Sequence, residues 1–286
     1  MRAQTAAAAL EADVERVVRL ALDEDTATRD ITTESVVASD ARGVAEVIAS
    51  APGVVFGLSA VAATFRRLDP AVDVVTPVSD ADPVEAGQVL ARLTGSLRAI
   101  LTGERTALNL LGHLSGIATL TREFVRLAGT AEVTDTRKTL PGLRTLQKAA
   151  VRAGGGVNHR MDLSAAVLVK DNHIAACASV SEATRRAVSS GLAVQVECES
   201  AGDVRQALEA GASSLLLDNR PADELEALVR LAREMRPGVF IEASGGVTLE
   251  TVAAIVATGV DRVSVGALTH SAPALDVSLR LVRAGS

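Results

Sequence analysis

Thr134-Asp-Thr-Arg-Lys-Thr-Leu-Pro-Gly-Leu-Arg144, continued by Asn158-His-Arg-Met-Asp162 and Lys170-Asp-Asn-His173, is the stretch on which the reading of the chain turns. Its two ends share a pattern. Ala131–Thr134 and Ala166–Val169 read as short strands, and polar residues follow each at once. The chain has 286 residues and three lysines, Lys138, Lys148 and Lys170, all of them here; the other 26 of its 29 basic residues are arginine. From Arg137 to Lys170 there are seven basic residues and one acid, Asp162, a net +6 inside a chain of net −6. A basic island in an acidic chain fits a small polyanion better than a nucleic-acid face. A solvated basic helix face is the alternative on charge alone.

Working outward, the same alternation runs on towards the C-terminus. Strand candidates are Ala193–Cys198, Ser214–Leu217, Val239–Ala243 and Arg262–Val265. Helical periodicity separates them at Leu143–Ala153, Val180–Ser190, Gly202–Ala210, Ala222–Arg236 and Leu249–Thr258. Strands alternating with helices imply right-handed βαβ units and a parallel sheet. Polar residues or glycines follow almost every strand: Asp135, Arg137 and Lys138; Lys170, Asp171 and Asn172; Glu197 and Glu199; Asp218 and Asn219; Ser244, Gly245 and Gly246; Gly266. An open doubly wound sheet offers a crevice at one switch point. Chemistry after every strand fits a ring of strand ends around one mouth, as in an α/β barrel.

The N-terminal part has another texture. Leu10–Leu22 is helical in pattern, and residues 23–33 read as a polar turn. Gly43–Ser50, Val72–Thr76 and Gln88–Leu93 read as strands around a helix at Leu58–Leu68, a small α+β domain. Leu97–Ala128 is helical, with breaks expected near Gly103, Gly112 and Gly116. Leu275–Val282 alternates like a final strand returning to this domain. The expected organisation is an N-terminal α+β domain over residues 1–109, an α/β barrel over 110–270, and a tail, 271–286, packed back on the first domain.

Composition narrows the function. Aromatics are 1% of the chain, with no Trp or Tyr, which leaves few platforms for stacking bases. Cys177 and Cys198 give neither a disulfide framework nor a zinc spacing and read as core residues of a reducing compartment. No apolar stretch approaches the roughly 18 residues of a membrane span. A cytoplasmic protein with no nucleic-acid or membrane partner is expected.

The residues themselves point to anions. Arginine forks bind carboxylate or phosphate in pairs of hydrogen bonds, and lysine acts as a point charge. Lys138 and Lys170 are kept where the chain otherwise uses Arg, so a compact ammonium is expected to matter there. Lys148 sits mid-helix among Arg144, Gln147 and Arg152 and reads as a solvated face. His159 beside Arg160 could donate to an anion. Glu197 and Asp218 end successive strands and suit a ribose diol or a magnesium-bound phosphate, or serve as ion-pair partners for Lys138 and Lys170. Ser244-Gly-Gly246 and Gly266 expose backbone N–H groups after the last two strands, where barrels often hold phosphate. A phosphoribosyl donor with a 5′-phosphate, a ribose and a pyrophosphate matches these three zones.

Thr136-Arg-Lys-Thr139, Pro141-Gly-Leu-Arg144, Gly154-Gly-Gly-Val-Asn-His-Arg-Met-Asp162 and Leu168-Val-Lys-Asp-Asn-His173 together resemble the quinolinate phosphoribosyltransferase family, the decarboxylating nicotinate-nucleotide pyrophosphorylases. Arg29-Asp-Ile-Thr-Thr33, Glu104-Arg-Thr-Ala-Leu-Asn109, Leu217-Asp-Asn219, Glu242-Ala-Ser-Gly-Gly246 and Val265-Gly-Ala-Leu-Thr-His270 extend the resemblance over nearly the whole chain. It implies an N-terminal open-faced α+β sandwich domain followed by an incomplete, about six-stranded α/β barrel. It implies transfer of phosphoribosyl from phosphoribosyl pyrophosphate to quinolinate with loss of CO₂, giving nicotinate mononucleotide for NAD biosynthesis, with Mg²⁺. It also implies a homodimer in which Arg105 reaches the neighbouring active site. By the same resemblance, Arg137, His159, Arg160 and Lys170 surround the two carboxylates of quinolinate. Lys138, Glu197 and Asp218 serve pyrophosphate, metal and ribose as the catalytic group, with Glu197 and Asp218 nearest the metal, and Ser244, Gly245, Gly246 and Gly266 take the 5′-phosphate. Gln195 and Ala243 depart from the family, which often has Glu and Ser there. A related phosphoribosyltransferase acting on another aromatic acid is the alternative enzyme, and His159-Arg160 argues for a dicarboxylate instead.

Overall fold

The computed structural model describes residues 2–284. In chain order the first elements are α1 (Arg2–Glu24), α2 (Ile31–Val36), β1 (Arg42–Ala49), β2 (Gly53–Val54), α3 (Leu58–Leu68), β3 (Asp73–Val75), β4 (Pro83–Val84), β5 (Val89–Ser96) and α4 (Leu97–Ala128). Then come β6 (Glu132–Thr134), α5 (Arg144–Ala153), β7 (Val167–Val169), α6 (Asp171–Cys177), α7 (Val180–Val188), β8 (Val194–Cys198) and α8 (Ala201–Glu209). The last are β9 (Ser214–Asp218), α9 (Ala222–Met235), β10 (Phe240–Ser244), α10 (Val252–Ala257), β11 (Arg262–Ser264), α11 (Ala267–His270) and β12 (Val277–Ala284). They fall into two units. One comprises the chain through Arg122, Thr139–Gly155 and the segment from Leu268 onward; the other comprises Glu123–Lys138 and Gly156–Ala267.

The first unit is built on an antiparallel sheet in the order β12-β1-β5-β3. Successive strand residues face opposite sides, and β1 shows it: Ala45, Val47 and Ala49 are fully buried. They join Leu90, Leu93, Phe65, Ile100 and Leu111 in one core. α3 turns Val61 and Phe65 into that core and leaves Arg66 and Arg67 outside. The opposite face of the sheet is polar at its centre. Glu46 lies across from Arg92 on β5 and Arg280 on β12, accepting from them at 2.7 and 3.3 Å. Opposite charges facing one another across strands fix their register.

Three sequence expectations give way here. α4 is one unbroken helix of 32 residues. Its glycines are places of close approach. A methyl on Gly103 would meet the Phe65 ring, one on Gly112 the Leu275 carbonyl oxygen at 2.9 Å, and one on Gly116 the Pro273 carbonyl oxygen at 2.0 Å. The Leu275 N–H donates to the Gly112 carbonyl at 2.9 Å, so the C-terminal segment is fastened along the helix. The polar turn over 23–33 ends inside α2, because the Asp30 carboxylate accepts the Thr33 N–H at 2.9 Å and caps a helical turn. Lys148 is not on a solvated face but is 1% exposed. Leu146 through Val151 are all buried, so α5 is covered on more than one side. Gln147 beside it is fully engaged, with Oε1 accepting the Leu140 N–H and Nε2 meeting the Thr269 carbonyl and the His113 ring.

The second unit is a parallel sheet in the order β6-β11-β10-β9-β8-β7. β6 and β7, nearest along the chain, lie at opposite ends, as in a barrel left open between its first two strands. The backbone at Val157 lies beside β6, with Val157 N–H donating to the Val133 carbonyl at 2.8 Å. Along β6 and β8 to β11 one parity is apolar and buried: Val133, Val194, Val196, Leu215, Leu217, Ile241, Ala243 and Val263. α7, α8, α9 and α10 bury their own apolar stripes in the same unit. The other parity is largely polar, and the register sets it in rows. Glu197, Leu216, Glu242, Arg262 and Glu132 form one row; Asp218, Ser244, Ser264 and Thr134 form the next.

Gly116→Ala is expected to destabilise the protein by about 1–3 kcal/mol, because the methyl has a backbone oxygen in its way. Gly202→Ala, where only the Ser200 hydroxyl lies near, is expected to be neutral or slightly stabilising. Urea unfolding of the two variants checks this.

Candidate active site

Three of the predicted cations, Arg137, Lys138 and Lys170, follow the two strands that flank the opening of the second unit. Arg137 and Lys138 follow β6 and are exposed. Lys170 follows β7, and its ammonium donates to Glu197 Oε2 at 2.8 Å. The segment Asp171-Asn-His173 opens α6. The His173 Nδ1 accepts the Lys170 backbone N–H at 2.9 Å and closes the first turn.

Between them lies the loop that carries His159 and Arg160. It is pinned by Asp135, a fully buried carboxylate at the end of β6. Asp135 Oδ1 accepts the His159 N–H at 3.0 Å, and Oδ2 accepts from the Asn158 amide at 2.5 Å. The His159 Nδ1 then accepts the Arg160 N–H at 2.7 Å, and the Arg160 guanidinium donates to the Ala166 carbonyl at 3.0 Å. Burial first, and then the neighbouring charge of Arg137, hold the Arg160 guanidinium below its usual pKa. Two like charges near one another disfavour each other's charged form.

Carboxylates line the interior. Glu197 is buried and bound to Lys170. It faces Leu216 in register, so Asp218, two residues further along β9, points to the same side. Deeper in the row, Arg262 donates to Glu132 at 2.8 and 2.6 Å and lies 4.8 Å over the Phe240 ring. Its other face is 3.7 Å from Glu242. Gln195 donates to Glu242 at 3.0 Å, which explains why an amide can stand at 195: a second carboxylate there would oppose a buried one. Ala243 faces the opposite way, into the buried parity.

After β10, Gly245 and Gly246 take φ of 88° and 62°. A side chain at Gly245 would lie 2.9 Å from the Asn219 backbone. The Asn219 N–H donates to the Ser244 carbonyl at 2.7 Å, so the loops after β9 and β10 are stitched together. α10 starts only at Val252, and α11 is a single turn after Gly266, so the exposed backbone here comes from the glycine turns.

The sequence profile described as "Quinolinate phosphoribosyl transferase, N-terminal domain" matches residues 30–115, and the profile for the C-terminal domain of the same enzyme matches residues 117–280. The chain belongs to the quinolinate phosphoribosyltransferase family. It is 42% identical over 261 residues to a probable nicotinate-nucleotide pyrophosphorylase [carboxylating] of Bacillus subtilis, covering 90% of this chain and 89% of the relative. It is 42% identical over 272 residues to the nicotinate-nucleotide pyrophosphorylase of Mycobacterium leprae, covering 92% and 95%. The solved nicotinate-nucleotide pyrophosphorylase of Francisella tularensis superposes with a TM-score of 0.88 at 38% identity, over 95% of this chain and 96% of that one. The incomplete barrel expected from the resemblance to this phosphoribosyltransferase family is the fold found.

Within this family member the second unit brings together Arg137, Lys138, His159, Arg160, Lys170, Glu197, Asp218, Ser244, Gly245, Gly246 and Gly266. Arg105 is exposed on α4, in the first unit. In the sequence Asp135 stands out only as a polar residue after a strand and Glu242 only as part of a motif, and neither is given a role there. The available signal was a charged residue at an inward position of an otherwise apolar strand, as in Phe-Ile-Glu-Ala-Ser (240–244).

Asp135→Ala removes the carboxylate that accepts from the Asn158 amide and the His159 N–H. The expected cost is about 1–3 kcal/mol, with faster hydrogen exchange confined to residues around 158–160. Exchange mass spectrometry checks the location, and thermal unfolding the cost.

Proposed function

We infer that this chain transfers the phosphoribosyl group of phosphoribosyl pyrophosphate to the ring nitrogen of quinolinate, with loss of the 2-carboxylate as CO₂. The products are nicotinate mononucleotide and pyrophosphate, in de novo NAD biosynthesis. The observation that supports the substrate is the gathering of cations at the two strands flanking the opening: Arg137 and Lys138 exposed after β6, Arg160 on the loop pinned by Asp135, and Lys170 after β7, bound to Glu197. A pyridine dicarboxylate supplies two anionic groups to such a cluster, and His159 adds a polar edge.

Lys138, exposed after β6, is placed for the leaving pyrophosphate, and the glycine turns at Ser244–Gly246 and Gly266 for the 5′-phosphate. Glu197 and Asp218 are placed for the ribose, where positive charge develops at the anomeric carbon as pyrophosphate departs. Their negative charge stabilises that cation. Once the nitrogen is alkylated it accepts the electrons left by CO₂, so no side-chain nucleophile is needed and positioning does most of the work. Among the described residues no three His, Cys, Asp or Glu side chains cluster as a metal cage. Two carboxylates beside a pyrophosphate do fit Mg²⁺, which keeps much of its water and binds largely through substrate oxygens. When bound, it would neutralise the departing pyrophosphate. We place the enzyme in the cytoplasm, as a homodimer in which Arg105 completes the neighbouring site. Among the described residues no helix is long and apolar enough to cross a membrane.

Pyrophosphate release is expected with quinolinate and the phosphoribosyl donor, with CO₂ in equal amount, and to stop when EDTA removes Mg²⁺. Nicotinate serving as well as quinolinate overturns the substrate assignment. Lys138→Ala is expected to lower kcat/KM about 100-fold. Mixing Arg105→Ala with Lys138→Ala is expected to restore part of the activity, since a mixed dimer then holds one intact site; no recovery counts against the shared site.

A further inference from the structure

Glu242 stands in the middle of β10, 0% exposed, and its Oε1 meets no hydrogen-bond donor among the described residues. All its neighbours act on the other oxygen: Gln195 Nε2 at 3.0 Å, His159 Nε2 at 3.7 Å and Arg262 NH1 at 3.7 Å. Arg262 is shared with Glu132, which takes its two shorter bonds. A buried carboxylate so thinly compensated is a poor stabiliser, and an apolar residue of similar size would serve the fold better. Its retention calls for another reason, and His159 supplies one.

The imidazole is already constrained on its other sides. The His159 backbone is tied to Asp135, and Nδ1 accepts the Arg160 N–H. A ring nitrogen that accepts carries no proton, so the proton of the neutral ring is on Nε2, the atom that faces Glu242. Glu242 favours that tautomer, because a carboxylate opposite an unprotonated nitrogen would be repelled. The same bond that fixes Nδ1 sets the backbone from which the Arg160 guanidinium departs.

We propose that Glu242 is a positioning residue: from the barrel floor it holds His159 as the Nε2–H tautomer and, through the Nδ1 bond, sets the aim of Arg160. Glu242 need touch no substrate to do this. The proposal deepens the reading of His159 and Arg160 as the quinolinate-facing pair and rests on it.

The test is Glu242→Gln, which keeps the shape and removes the charge. The expected result is a quinolinate KM raised roughly fivefold or more, a phosphoribosyl pyrophosphate KM unchanged within about twofold, and an unchanged or higher Tm. In a His159→Ala background the same substitution is expected to add nothing further. Parallel rises in both KM values, or a full effect without His159, overturn the proposal. Imidazole ¹⁵N spectra provide a readout independent of turnover, with the His159 signals assigned from the His159→Ala variant. The wild-type ring is expected to show an unprotonated Nδ1 and a protonated Nε2, and Glu242→Gln a mixture of tautomers. A wild-type ring protonated on Nδ1 overturns the proposal even where the variant does not fold. Absence of quinolinate turnover in the wild type, with the expected tautomer present, would instead sink the substrate reading and leave the positioning role standing.

Discussion

The two-residue period of a parallel strand is the constraint on which the second unit depends. One parity must be apolar, because helices cover it; the other is free to be polar, because it faces the interior. Register then converts separate strands into rows, so that Glu242, Arg262 and Glu132 stand side by side, with Glu197 one strand further along beyond Leu216, although the chain spreads them over 131 residues. A shift of one residue would bring apolar neighbours such as Val196, Ile241, Val263 and Val133 to the interior in place of these charges. The apolar parity therefore protects the chemistry as much as the core. Strand ends are where the polar parity meets solvent, and that is where Lys138, Lys170 and Asp218 are found.

Much of this was legible in the sequence. The alternation of strands and helices after residue 130 located every strand of the parallel sheet to within a residue or two, because those strands are short apolar runs bounded by charges. The cationic stretch was legible for a different reason: a chain that uses arginine almost everywhere stands out where it keeps lysine. The family resemblance rested on the same stretch and extended well beyond it.

What was not legible depends on long-range packing. Gly103, Gly112 and Gly116 look like helix breakers, and nothing local announces that Phe65, Leu275 and Pro273 press against them. Lys148 looks solvated because its neighbours in sequence are charged, whereas burial is decided by what covers α5 from several sides. α2 and α6 are short turns made by single side chains, Asp30 and His173, whose capping outweighs weak periodicity. Glu242 was hidden for a related reason. A lone acid in a strand usually marks a solvent face, and only the register shows that this one points inward.

The opening between β6 and β7 has a consequence for solubility. An open sheet has two edges, and an exposed edge recruits other strands. On the β6 side the backbone at Val157 covers part of the edge. β7 ends the sheet beside β8, and it is three residues long, too short to template another strand well. Lys170 ends it with a charge that resists burial against a second sheet. A short strand that ends in a charge thus makes this side of the unit a poor surface for aggregation.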